Sequence, residues 1–111
     1  MAELIYINEA EALKRLGGNK ALYSKLLKRL IDDMPNHDIS KCIAGGDMKT
    51  AQAEAHTVKG MAANLSLTAA YEASVKLEAM LKSDSLDDSV LKEYETTIAD
   101  TIAELNKYLG L

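Results

Sequence analysis

Apolar residues recur at alternating spacings of three and four through most of this chain, a rhythm that specifies amphipathic helices. Met48, Ala51, Ala55, Val58, Ala62 and Leu65 form one such stripe, and Leu91, Tyr94, Ile98, Ile102, Leu105 and Leu109 form another. The composition agrees. There is one proline and no Phe or Trp, while Ala, Leu, Lys and Glu abound, which favours helix over sheet. With 111 residues the chain is expected to be one domain, 1–111, large enough for a core without disulfides or a structural metal.

Polar and glycine punctuation divides the pattern into helices. Asn8 and Glu11 resemble a capping box, and Gly17-Gly18 can end a first helix of about two turns. Asn19 can cap a second helix running to about Met34, with Leu22, Tyr23, Leu26, Leu27, Leu30 and Ile31 as its apolar face. Pro35 stops it, because the residue before a proline is pushed out of the helical region. A short piece from Asp38 to Ala44 ends at Gly45-Gly46, and Asp47 caps the next helix. After the turn Leu65-Ser66-Leu67-Thr68 a further helix runs to about Lys82, with Ala70, Ala73, Leu77, Met80 and Leu81 inward. The polar turn Ser83 to Asp88 leads into the last helix. The expected fold is all-α: four long helices in an antiparallel up-down bundle, with a short N-terminal helix over one end and a short connecting helix.

Charge and residue usage exclude several classes. A net charge of −4, with lysines scattered among acids, argues against nucleic acid. No apolar run approaches the roughly 20 residues that span a bilayer, and Met1 to Tyr6 lacks the pattern of a secretory signal. One cysteine, Cys42, cannot form an internal disulfide, so the cytoplasm is the expected compartment. Cys42 reads as a small apolar group and His37 as a surface or capping residue. The two histidines do not form a spaced ligand pair, so no metal site is expected. Met34, Met48, Met61 and Met80 fit core and core-edge positions. Without a glycine-rich phosphate loop, ATP binding is not expected.

One segment breaks the local rules: Ala55-His56-Thr57-Val58-Lys59-Gly60-Met61-Ala62-Ala63-Asn64-Leu65. At about 100° per residue, His56 points roughly 130° from the centre of the buried stripe, toward solvent. Gly60 and Ala63 follow on the same outer face, with Lys59 at its border. A mid-helix glycine costs about 1 kcal/mol relative to alanine. Its place beside an exposed imidazole suggests clearance for something that must approach closely. An imidazole is a competent nucleophile near neutral pH. Lys59, at i+3, sets a cation one turn along, and Gln52, at i−4, sets an amide one turn back that can bond the ring. Met61 lies beside the stripe and can join a docking patch with Gly60 and Ala63.

These residues resemble the signature of histidine-containing phosphotransfer (HPt) domains, Ala-His-x-Leu-Lys-Gly-Ser/Ala-Ala-x-Asn-x-Gly followed by a helix with a Leu-Glu pair. Ala55-His56, Lys59-Gly60 and Ala63-Asn64 agree, and Leu77-Glu78 stands at a fitting distance downstream. Val58 replaces the usual leucine, and Ser66 replaces a glycine in the turn, where a serine can cap the next helix. The resemblance implies a phosphocarrier with His56 as phosphoacceptor, phosphorylated on its outer ring nitrogen, with Lys59 offsetting the phosphoryl charge and Gln52 bonding the ring or the phosphate. It implies partners that are response-regulator receiver domains and a hybrid histidine kinase, and no independent enzymatic activity. The chain itself would bind no cofactor, the magnesium residing in the partner's acidic pocket, and would be a monomer. Two rivals remain: the phosphoacceptor domain of a chemotaxis-type kinase, and a non-catalytic adaptor bundle. Met1 and the finish soon after the last helix favour a free-standing protein.

Overall fold

Helices begin where a short polar side chain can occupy the free amides of a first turn. In a computed structural model describing residues 5–83 and 85–111, Asn19 accepts from the Leu22 amide at 3.0 Å and Asp47 from Thr50 at 3.1 Å. Asp38 and Asp87 do the same for Lys41 and Ser89. The elements are α1 (Glu9–Arg15), α2 (Lys20–Asp33), a 3₁₀ turn (Met34–Asn36), α3 (Ile39–Ala44), α4 (Met48–Asn64), α5 (Thr68–Lys82) and α6 (Asp88–Leu109). The described residues contain no strand. Expectations about residues 1–4, and about Asp84 in the polar turn, lie outside the described residues.

The core joins the inward faces of the long helices. α4 packs most extensively on α5, α5 also on α6, and α2 touches α6. Small side chains are buried along both central helices: Ala51, Ala55 and Ala62 on α4, and Ala69, Ala70 and Ala73 on α5. Tyr23, Leu27, Leu77 and Leu105 fill the interior. Two stripes differ from the sequence reading. Leu22 is exposed, and α6 buries Thr97 and Thr101 as well as Tyr94 and Leu105. The Thr101 hydroxyl donates to the Thr97 carbonyl at 2.7 Å, so its burial leaves no hydroxyl unsatisfied.

The α4–α5 turn corrects two further expectations. Ser66 does not cap α5. It adopts a left-handed backbone at φ 56°, the conformation that glycine takes without strain, and its hydroxyl donates to Glu11 at 3.0 Å. Leu67 occupies the cap position with no side-chain bond, and the Ala69 amide finds the Ile5 carbonyl instead. The capping box at α1 is only half formed. Asn8 accepts from the Glu11 amide, but its backbone N–H donates to the Ser66 carbonyl at 2.9 Å, so the Glu11 carboxylate receives only the Asn8 side-chain amide, at 3.4 Å. Arg15 donates to the Ala63 and Asn64 carbonyls, and Tyr23 donates to Leu65 at 2.7 Å. α1 and α2 therefore hold the C-terminal end of α4, whose last carbonyls lack helical partners. Ser66→Val is expected to destabilise the fold by about 2 kcal/mol, because a β-branched residue resists the left-handed region. Ser66→Gly is expected to stay within about 1 kcal/mol, and urea unfolding of the two variants checks the contrast.

His37 is not an ordinary surface residue. Its ring, 14% exposed, lies between Asp33 of α2, 2.8 Å from Nε2, and Glu54 of α4, which contacts Nδ1. Burial pulls its pKa down, but hydrogen bonds to Glu54 and Asp33 outweigh that and raise it. A raised folded-state pKa gives stability that is complete below the unfolded value and lost as pH rises through the folded one. Wild type should thus lose a few degrees of Tm relative to His37→Gln between pH 6 and pH 8.5, measured by thermal unfolding of both. An unchanged difference between them would contradict the clamp.

Candidate functional site

His56 stands on the second half of α4, on the face turned away from Ala55, Val58 and Ala62. Its side chain is 70% exposed. Across the α4–α5 contact, Glu78 is almost completely buried, its side chain 7% exposed, and its Oε2 lies 2.9 Å from His56 Nδ1. An ionised carboxylate only accepts, so Nδ1 carries the hydrogen and donates it. Nε2 of the neutral ring then holds the free electron pair. Glu78 is kept ionised chiefly by the hydrogen bond from Lys59, which lowers its pKa against the opposing effect of burial; the His56 bond and the charges of Lys59 and Lys82 add to the lowering.

Lys59 therefore has a partner already. Its Nζ contacts Glu78 Oε1 at 2.5 Å, and its side chain is 27% exposed. Gly60 lies on the outer face beside His56, and a Cβ built there would meet nothing within 4 Å. Packing inside this molecule does not demand that glycine. Ala63, half-buried, closes the low rim and offers its carbonyl to Arg15.

Gln52 departs from the arrangement expected from spacing, whereas Met61 keeps to the core edge expected of it. The Gln52 amide nitrogen donates to the Leu81 carbonyl at 2.9 Å, not to the imidazole. That carbonyl belongs to the last turn of α5, where helical partners run out, and the amide meets the need. Met61 is half-buried on the flank away from His56 and lines a groove of about 710 Å³ with Leu26, Leu30, Asn64 and Leu65. The structure thus gathers His56, Lys59 and Gly60, with Ala63 at the rim, and adds Glu78. Glu78 escaped site assignment from sequence although its Leu77-Glu78 motif was visible. The available signal was an acid at the edge of the α5 apolar stripe, where a carboxylate needs cations from another helix. Among the described residues no cluster of three His, Cys, Asp or Glu is gathered to hold a metal ion.

A site of this shape suits proteins whose histidine works at an open surface, against another macromolecule. The family model of the Hpt domain matches residues 20–108, most of the chain, and the chain belongs to that family. Membership implies histidine phosphotransfer in phosphorelay signalling, with receiver domains and histidine kinases as the kinds of partner. Neither the comparison with curated proteins nor that with solved structures finds a match. α1 precedes the matched stretch, yet it supplies Arg15 and Glu11 to the turn that ends α4. No helix of the described residues is long and apolar enough to cross a membrane.

Proposed function

We propose that His56 accepts a phosphoryl group from a receiver-domain aspartate and passes it to another receiver. The observation that carries this reading is the engagement of Nδ1 by a buried carboxylate while the ring stays 70% exposed. Nε2 attacks phosphorus in line, the N–P bond forms, and the O–P bond breaks with its electron pair on the aspartate oxygen. No proton need leave Nδ1. The ring becomes a cation, and Glu78 is placed to stabilise it. The reverse sequence delivers the group onward.

The magnesium that assists transfer belongs to the receiver's acidic pocket in this reading. The chain contributes the nucleophile, its orientation and an open approach over Gly60 and Ala63, and no independent catalysis. The long helices are read as an antiparallel up-down bundle forming one domain, supported by the short connections between them. A monomer in the cytoplasm fits a carrier that must meet and release each partner in turn. Mixing the protein with a phosphorylated receiver domain and magnesium tests the assignment. Mass spectrometry under alkaline conditions is expected to place the label on His56. Label on another residue, or none, overturns it.

A further inference from the structure

Three nitrogen-bearing side chains gather at Glu78, and they are not equivalent. His56 Nδ1 and Lys82 Nζ approach the same oxygen, Oε2, at 2.9 and 3.8 Å, while Lys59 Nζ holds Oε1 at 2.5 Å. Lys59 is 27% exposed and fully engaged. Lys82 is 62% exposed and stands beyond hydrogen-bond distance, so little is lost when it moves. Moving Lys59 would strip a nearly buried carboxylate of its close ion pair, which is far costlier.

The register of the two helices places Lys82 well. Gln52, one turn before His56, reaches the carbonyl of Leu81, so the end of α5 stands level with that turn. Helical side chains lean toward the N-terminus of their helix, which carries the His56 ring toward this level. Lys59 lies on the turn behind. A lysine in a last helical turn ordinarily complements the helix dipole. Sharing a carboxylate oxygen with the imidazole gives this one a second use.

We infer that Lys82 is the cation that meets the phosphoryl group on His56, whereas Lys59 is a positioning residue that fixes Glu78. The inference rests on the reading of His56 as phosphoacceptor. A phosphoryl group brings about two negative charges next to a flexible ammonium that until then shares part of one. Lys82 can swing to it while Lys59 keeps Glu78 on Nδ1.

Phosphoramidate tests this without any partner protein: its P–N bond breaks with the electron pair leaving on ammonia, and a new N–P bond forms on the ring. If alkaline mass spectrometry finds no label on wild-type His56, the phosphoacceptor reading itself fails. With His56 labelled, Lys82→Met is expected to load roughly tenfold more slowly, with the imidazole ¹⁵N signals of the unphosphorylated protein unchanged. Lys82→Arg should restore most of the rate, and Lys59→Met should shift the imidazole signals. Wild-type loading by Lys82→Met, failure of Lys82→Arg to restore it, or undisturbed imidazole signals in Lys59→Met would each overturn the division of roles.

Discussion

His56→Gln is expected to abolish uptake of phosphate from a phosphorylated receiver while leaving the helical fold in place. The side chain is mostly solvated, and a glutamine amide can still donate to Glu78, so stability should change by no more than about 1 kcal/mol. The amide has no basic lone pair to attack phosphorus, so the loss of transfer should be complete. Circular dichroism and the yield of acid-labile, base-stable phosphate are the two measurements. Normal phosphate uptake by a folded His56→Gln variant would remove His56 from the chemistry.

Gly60→Gln should separate approach from chemistry. Because a Cβ at position 60 meets nothing within 4 Å, the substitution fits the folded protein. It should even stabilise α4 by about 0.5 kcal/mol, since glycine is the poorer helix former. Transfer from a receiver domain is nevertheless expected to slow by roughly ten- to a hundredfold, because a displacement of about 1 Å at the reacting atoms has effects of that size. Loading from phosphoramidate, which needs no protein surface, should stay close to wild type. Equal slowing with both donors would mean that the side chain disturbs His56 itself. Unchanged transfer from the receiver would mean that the glycine clears no path for a partner.

Much of the scaffold was legible because helix starts and stops are local. Asn19, Asp38, Asp47 and Asp87 each bond an amide two or three residues on, a distance that sequence reasoning spans. Where the partner comes from elsewhere in the chain, local reading fails. Asn8 gives its amide to Ser66, Ser66 gives its hydroxyl to Glu11, and α5 begins on a carbonyl from Ile5. α2 ends before Pro35 as expected, but not by the expected route: Met34 keeps a helical backbone at φ −53° and ψ −39°, and the chain leaves through a 3₁₀ turn over Met34–Asn36. His37 looked unremarkable because its two carboxylates lie four and seventeen residues away.

The exposed imidazole, the glycine beside it and the helical setting follow from periodicity, since one helix's own geometry determines which face each residue occupies. Which nitrogen of His56 is left free does not. That depends on Glu78, twenty-two residues away on another helix, and on Lys59 being drawn to the same carboxylate instead of remaining free for phosphate. Side-chain pairing between helices is set by packing register, and no spacing within a single helix encodes it.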